Sequence, residues 1–268
     1  MKPREQSTQP ITGKVSELYD VFVDWPGRLS RELPGLELRL AGARRVLDVG
    51  CGTGRHVQAL LERGYDAHGA DASEDMLAQG PALGISRERL HLWRLGDEPA
   101  PSVSAAAPFD AVIALGNVWP MLVEPYDLAA AARALQRIMR PGATLVLGLK
   151  AFGLRERSDP YLPLVKRTHE GRALWFVRFV DFDVPQPAQH AVCDLHLSIL
   201  RGDASDEREA LVHRATRVRS WTADELLRWL SEAGFAGGSV SGRMDDPRAP
   251  VRGEDVFVGA RTPEHPAY

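Results

Sequence analysis

A segment of glycines and one acid has residue types and spacing that suit the binding of a small molecule. Residues 45–56 read RVLDVGCGTGRH, in which an apolar run contains Asp48 and is followed by glycines at 50, 52 and 54. Alternating glycines let a ligand approach the main chain more closely than a Cβ atom would allow, and they adopt positive φ readily. The pattern is typical of a parallel strand that turns into a helix. It predicts a cofactor site at the carboxyl end of that strand.

The spacing of the glycines separates two classes of cofactor. A dinucleotide pattern, G-x-G-x-x-G, needs its third glycine where this chain has Arg55. Asp48 would repel a pyrophosphate but suits a positively charged ligand. S-adenosylmethionine carries an ammonium and a sulfonium, and it has no phosphate. The motif Asp48-x-Gly50-x-Gly52-x-Gly54 resembles motif I of the class I S-adenosylmethionine-dependent methyltransferases.

The elements around this motif alternate between strand and helix as far as residue 150. Hydrophobic periodicity predicts strands over 45–49, 66–70, 89–95, 109–117 and 143–149, with helices between them except over 100–108, where an Ala/Ser/Pro connection joins the third and fourth strands. This alternation predicts an α/β fold with a doubly wound, Rossmann-like parallel sheet. Three strands over 174–183, 192–201 and 211–221 predict an antiparallel insertion after the fifth strand. The resemblance implies that strands at 237–243 and 255–261 complete a seven-stranded sheet whose last strand is antiparallel.

Length and composition predict one domain with additions, from 268 residues of which 44% are hydrophobic. We expect a flexible arm over 1–12, a cap of two helices over 13–44, a cofactor-binding core over 45–150, the insertion over 151–221 and closing elements over 222–268. A net charge of −3 gives no electrostatic footprint for nucleic acid.

Cysteine usage and hydropathy indicate a cellular compartment. Cys51 and Cys193 are the two cysteines, too few for a disulfide framework. No run of about 18 apolar residues is present, and the first residues lack the apolar core of a signal peptide. We therefore expect a soluble cytoplasmic protein with no membrane partner. The sequence leaves open whether it is a monomer or a homo-oligomer.

Further cofactor contacts are predicted outside the glycine turn. Asp71 follows the second strand, about 20 residues beyond the turn, where an acid can accept hydrogen bonds from both ribose hydroxyls. Met76 lies on the next short helix and is predicted to pack on the adenine face. Tyr19, Trp25 and Arg28 precede the first strand, and their aromatic and guanidinium groups can close over a ligand.

The chain is similar to the small-molecule branch that includes the glycine and sarcosine N-methyltransferases, whose N-terminal helices cover the cofactor. It implies that Asp97 binds the adenine amino group and that the Leu115 carbonyl meets the cofactor amine. The end of the fourth strand is similar to motif IV, which implies that Asn117, Val118 and Trp119 face the methyl acceptor. The complete cofactor set is Tyr19, Trp25, Arg28, Asp48, Gly50, Cys51, Gly52, Asp71, Ala72, Met76, Gly96, Asp97 and Leu115.

The expected reaction is an in-line transfer of a methyl group to a nitrogen or oxygen of a small-molecule acceptor. Such a displacement depends mainly on positioning and on the exclusion of water. His196 and Arg219, on the polar face of the insertion, are predicted to bind the acceptor together with Asn117 and Trp119. No residue stands out as a general base. No metal is predicted, because residues 116–119 lack paired carboxylates.

Other classes of function remain open on the sequence. Asn117 is followed by Val118-Trp119-Pro120, so the Asn/Asp-Pro-Pro-Tyr/Phe motif of DNA or protein amino-group methylation is absent. An NAD-dependent oxidoreductase and a non-catalytic binding protein of the same fold are the two alternatives. Tightly bound nicotinamide would favour the first, and cofactor binding without turnover would favour the second.

Overall fold

Eleven strands in two sheets organise the computed structural model, which describes residues 11–151, 160–182, 192–202, 208–252 and 255–264. The strands are β1 (Arg45–Val49), β2 (Asp66–Asp71), β3 (Leu90–Leu92), β4 (Phe109–Ala114), β5 (Met139–Lys150), β6 (Val165–His169), β7 (Arg172–Phe182), β8 (Val192–Gly202), β9 (Arg208–Arg219), β10 (Ala236–Ser241) and β11 (Asp255–Arg261). The larger sheet has the order β10-β11-β5-β4-β1-β2-β3, and only β11 runs against its neighbours. The predicted seven-stranded, doubly wound sheet is confirmed.

Seven α-helices accompany the sheets in the described residues. They are α1 (Lys14–Phe22), α2 (Trp25–Arg39), α3 (Arg55–Glu62), α4 (Glu74–Leu77), α5 (Pro101–Ala106), α6 (Pro125–Ile138) and α7 (Ala223–Glu232). None of these helices is long and apolar enough to cross a bilayer. A capping box begins α7: the Thr222 side chain accepts a hydrogen bond from the Glu225 N–H, and the Glu225 side chain accepts one from the Thr222 N–H.

The two N-terminal helices divide at residues 23–24, and Pro26 lies inside α2 without interrupting it. Proline suits the first turn of a helix, because the N–H that it lacks would have no helical partner there. Asp24 caps α2 by accepting a hydrogen bond from the Gly27 N–H at 3.2 Å. Helix α5 was not predicted, because its Ala/Ser/Pro composition has no apolar periodicity and buries only Val103.

The large sheet is buried on both faces, which explains the nearly continuous apolar runs of its central strands. Leu47, Val112 and Leu145 pack on the side of α6 and α7. Val46 and Ile113 pack on the opposite side, with α2 and α3. Because neighbouring residues of a strand face opposite sides, each central strand contributes to both cores.

The second sheet is antiparallel and has four strands in chain order, β6 to β9, rather than three. Strand β6 was missed because its sequence, VKRTH, has little apolar alternation. The predicted end of β7 at residue 183 and the turn at 203–206 lie outside the described residues. Leu18 and Phe22 of α1 pack on Phe176 and Ile199, so this face of the sheet is turned toward the N-terminal helices.

A buried histidine pair between β2 and β3 makes stability depend on pH. His68 Nδ1 lies 3.1 Å from His91 Nε2, and burial together with the nearby His68 lowers the pKa of His91 to about 4. The native state thus excludes a proton that the unfolded chain accepts near pH 6.5, so stability is lost as the pH falls from about 6.5 toward 4. When the pH falls from 7 to 5, we expect the free energy of unfolding of the native chain to decrease by about 2 kcal/mol more than that of His91→Leu.

Urea unfolding at both pH values measures this difference. His169→Ala, which removes a solvent-accessible histidine, is the control and should follow the native chain. Equal losses in His91→Leu and the native chain would show that this pair does not set the acid sensitivity.

Candidate functional site

The carboxyl ends of β1, β2 and β4 open into a cavity of about 1880 Å³. Strand β1 lies between β2 and β4, so the chain crosses to opposite sides of the sheet at this point. Ligands of open α/β sheets bind in the crevice at such a switch point. The cavity is further enclosed by α1, by α2 and by the second sheet.

The glycine turn forms part of the cavity wall and leaves no space for a side chain at position 50. Gly50 has φ +71°, and a Cβ atom there would lie 2.2 Å from Val118 Cγ2. The N–H groups of Gly50 and Cys51 both donate to the Ala70 carbonyl, at 2.7 and 3.1 Å. The turn is therefore held against β2 with its main chain open to a ligand.

Asp71 ties the glycine turn to the loop after β2. Its Oδ2 accepts the Gly52 N–H at 2.8 Å, and its Oδ1 accepts the Ser73 N–H at 2.9 Å. Burial raises the pKa of Asp71, and these backbone hydrogen bonds partly oppose the rise. A carboxylate has about four acceptor positions, so two remain for hydroxyl groups of a ligand.

Asp48 places a carboxyl oxygen without a protein partner beside the turn. The residue is 2% exposed and lines the cavity, and its Oδ2 is buried with no hydrogen bond from the described residues. Burial raises the pKa of Asp48 to about 7, against the opposing charges of His56 and Arg28. A cationic ligand group would supply the missing partner, because a buried acceptor is costly unless it is paired.

Aromatic and guanidinium groups of the N-terminal helices also line the cavity. The Arg28 guanidinium lies 5.2 Å from the centroid of the Trp25 ring, and Tyr19 lies 6.3 Å from the same ring. Burial raises the pKa of the Tyr19 hydroxyl, so this side chain is neutral near pH 7. The three residues form an apolar wall with one fixed positive charge.

Glu32 and His56 were not indicated by the sequence. Glu32 Oε1 accepts a hydrogen bond from Arg28 Nε at 3.1 Å, and Glu32 Oε2 lies 2.7 Å from His56 Nε2. Burial raises the pKa of Glu32, but the contacts with His56 and Arg28 more than offset it, so the pKa lies below its usual value. The i,i+4 spacing of Arg28 and Glu32 was the available signal for this pair. The contact with His56 depends on tertiary structure.

The segment after β4 faces the cavity in part. Leu115, Asn117 and Val118 line it, and Asn117 Oδ1 is buried without a hydrogen bond from the described residues. Trp119 does not reach the cavity, contrary to expectation. It is 1% exposed and packs in the core beside Leu122, because the 3₁₀ turn Trp119–Met121 directs it under the sheet.

The second sheet presents a face to the cavity that differs from the expected one. His196 borders the cavity, but its ring stacks on Phe179 with centroids 4.3 Å apart, on the side opposite to Leu195 and Leu197. Arg219 does not line the cavity. Its Nη1 donates to the Val123 carbonyl at 3.3 Å, and its guanidinium lies 4.3 Å from the centroid of the Trp221 ring.

Arginines that the sequence did not indicate line this side of the cavity. Arg178 and Arg214 lie opposite each other across Leu197, one on each neighbouring strand, and share its face of the sheet. Arg167 on β6 lies on the same face. All three border the cavity, and burial lowers the pKa of Arg214.

The structure brings all thirteen residues of the predicted cofactor set into the lining of this one cavity. Cys51, Ala72, Met76, Gly96 and Asp97 complete the group described above. Burial holds the pKa of the Cys51 thiol well above its usual value, so the thiol is un-ionised. No cluster of three His, Cys, Asp or Glu side chains within the described ranges could hold a metal ion.

Comparison with known proteins shows what the first half of the chain resembles. Residues 46–142 match a family model described as a methyltransferase domain. A glycine/sarcosine N-methyltransferase of Parasynechococcus marenigrum is 33% identical over 135 residues, which cover 49% of this chain and 48% of that protein. A tRNA U34 carboxymethyltransferase of Idiomarina loihiensis is 33% identical over 152 residues, covering 53% and 44%. The chain thus spans about half the length of these curated relatives.

A solved structure agrees over nearly the whole length. The sugar N-methyltransferase KedS8 from Streptoalloteichus superposes with a TM-score of 0.71 and 24% identity, covering 96% of this chain and 97% of that one. At this identity the likeness shows the fold, which includes both sheets. Over residues 46–142 this chain is therefore similar to a methyltransferase domain, and its fold is that of a solved sugar N-methyltransferase.

Proposed function

We propose that this protein transfers the methyl group of S-adenosylmethionine to a nitrogen or oxygen atom of a small-molecule acceptor. The observation that carries the proposal is the unpartnered oxygen of Asp48 beside the glycine turn, which suits a cationic ligand without phosphate. The relative named for glycine and sarcosine favours nitrogen as the methylated atom. An NAD-dependent oxidoreductase finds no support, since Arg55 stands where a dinucleotide site needs glycine.

The bound cofactor supplies an electrophilic methyl group on a sulfonium, and the residues of this chain have separate tasks around it. Asp71 and the glycine turn would hold the hydroxyl-bearing part of the cofactor, and Asp48 would accept a hydrogen bond from its ammonium group. Tyr19, Trp25 and Arg28 exclude water, which favours a displacement that spreads charge. Asn117 Oδ1 accepts an N–H or O–H of the acceptor and so orients its lone pair. A base is needed only for an acceptor that arrives protonated.

The charge of the cavity walls defines the class of acceptor. Acids line the glycine-turn side, whereas Arg167, Arg178 and Arg214 line the side of the second sheet. No Asp or Glu from the described part of the second sheet lines the cavity. We therefore propose an acceptor with an anionic group, which guanidinium groups bind through charge-assisted hydrogen bonds.

The remaining features of the proposal follow from the sequence. We propose a single cytoplasmic domain that acts on a free small molecule and not on nucleic acid, although one relative is named for tRNA. A net charge of −3 opposes binding to a phosphate backbone.

Calorimetry with S-adenosylhomocysteine and with NAD tests the proposal. We expect S-adenosylhomocysteine to bind with a dissociation constant of about 1–100 μM and NAD to bind at least about 100-fold more weakly, a difference near 3 kcal/mol. Tighter binding of NAD would end the methyltransferase proposal. Formation of S-adenosylhomocysteine with anionic amines, measured against neutral analogues, then separates an enzyme from a non-catalytic binding protein.

A further inference from the structure

Asp20 lies behind the cavity wall and joins three elements that form it. Its Oδ1 accepts hydrogen bonds from Trp25 Nε1 and Thr53 Oγ1, each at 2.8 Å. Its Oδ2 accepts Arg55 Nε, also at 2.8 Å. One carboxylate on α1 therefore contacts the first residue of α2, the glycine turn and the first residue of α3.

Asp20 and the two residues that it contacts on the turn side do not line the cavity. Asp20, Thr53 and Arg55 are absent from the lining, whereas Trp25 and the glycines on either side of Cys51 belong to it. Thr53 is completely buried, and the Asp20 side chain is 18% exposed. Asp20 consequently acts on a ligand only through its neighbours.

The packing around Trp25 shows what Asp20 holds in place. The indole is 6% exposed, and its ring lies 5.6 Å from His56 and 5.2 Å from the Arg28 guanidinium. With its N–H bound to Asp20, the indole has one orientation in the wall. Loss of the carboxylate would leave the N–H of Trp25 and the hydroxyl of Thr53 buried without an acceptor, which is unfavourable.

We propose that Asp20 is a positioning residue that locks α1 and α2 onto the glycine turn and so closes the N-terminal helices over the cofactor. The inference rests on the proposed function, because it assigns the cavity to S-adenosylmethionine. The side chain of Arg55 thereby has a structural partner at the position where a dinucleotide site needs glycine. Asp20 controls how long the cofactor stays bound, and it takes no part in the transfer of the methyl group.

Kinetics of S-adenosylhomocysteine dissociation from the full chain test the assignment. In Asp20→Ala we expect the dissociation rate and the dissociation constant to rise about tenfold or more, because three charge-assisted or buried hydrogen bonds are lost. Asp20→Asn keeps one oxygen for Trp25 and Thr53 but turns its amide nitrogen toward Arg55. Its dissociation rate should therefore lie between those of the native chain and Asp20→Ala. In turnover, the KM for the cofactor should rise while kcat at saturation stays within about threefold.

A matched control separates positioning from general stability. Glu37 on α2 pairs with Arg63 at 2.8 Å, and neither residue lines the cavity. Glu37→Ala therefore removes another carboxylate that bridges the N-terminal helices to the region of α3. It should change S-adenosylhomocysteine dissociation less than twofold.

The outcomes distinguish the inference from the proposed function. If the native chain binds the ligand and Asp20→Ala dissociates at the native rate, Asp20 is not a positioning residue. The same conclusion follows if Glu37→Ala has an equal effect. If the native chain does not bind S-adenosylhomocysteine, the proposed function itself is wrong. Thr53→Val and Arg55→Gln, each removing one contact, replace Asp20→Ala if that variant does not fold, and each should raise the rate at least about threefold.

Discussion

Asp71→Ala is expected to weaken S-adenosylhomocysteine binding at least about 100-fold, which corresponds to about 3 kcal/mol. Two losses combine in this variant. The acceptors for the ligand hydroxyls disappear, and the N–H groups of Gly52 and Ser73 lose the carboxylate that joins their loops. Charge-assisted hydrogen bonds of this kind contribute about 1.5–3 kcal/mol each. Isothermal titration calorimetry measures the change.

Asp75→Ala is the matched control for this measurement. Asp75 is an acid in the same segment, and its Oδ2 accepts the Gly13 N–H at 2.8 Å, but it does not line the cavity. The control should bind within about twofold of the native chain. The affinity of Asp71→Asn should lie between those of Asp71→Ala and the native chain. Its amide oxygen still accepts a hydrogen bond from one backbone N–H, while its amide nitrogen faces another donor. Native affinity in Asp71→Ala would show that Asp71 is only a loop residue.

Cofactor affinity is expected to fall about tenfold as the pH is lowered from 8 to 6. Burial raises the pKa of Asp48 to about 7 in the protein without ligand contacts. A ligand ammonium favours the ionised carboxylate, so below pH 7 binding must release a proton from Asp48 and becomes weaker. A tenfold change corresponds to the release of one proton by a carboxyl group whose pKa in the complex lies well below 6.

Calorimetry in two buffers with different ionisation enthalpies measures the released proton directly. Asp48→Asn cannot release it, so we expect weaker binding that changes less than twofold over the same pH range. A tenfold dependence that persists in Asp48→Asn would assign the titration to a different group and would contradict the role given to Asp48.

Local patterns in the sequence predicted the centre of the fold and the cofactor side of the cavity. The glycine turn, Asp48 and Asp71 follow from their positions relative to two strands, and parallel strands place their carboxyl ends at one edge. Strand β11 has the predicted bounds. The capping box of Thr222 and Glu225 also follows from neighbouring residues alone.

Elements with weak periodicity were not predictable in the same way. Helix α5 has too few apolar residues to show a helical period, and β6 is short and polar. Both form because neighbouring elements pack or pair with them. The Asp20 and Glu32 networks join residues more than 20 positions apart, and no local pattern relates such residues.

The sequence by itself determined which residues come together at the glycine turn, because they are placed by the chain direction and by residues close in sequence. Only the tertiary structure decided which side of the second sheet faces the cavity. Alternation defines two faces of a strand without saying which one will be covered. Packing of Leu18 and Phe22 against Phe176 selects the face with Leu197 and Arg214, and it leaves the ring of His196 on the other side. Trp119 illustrates the same limit, since a single turn after β4 decided between the cavity and the core.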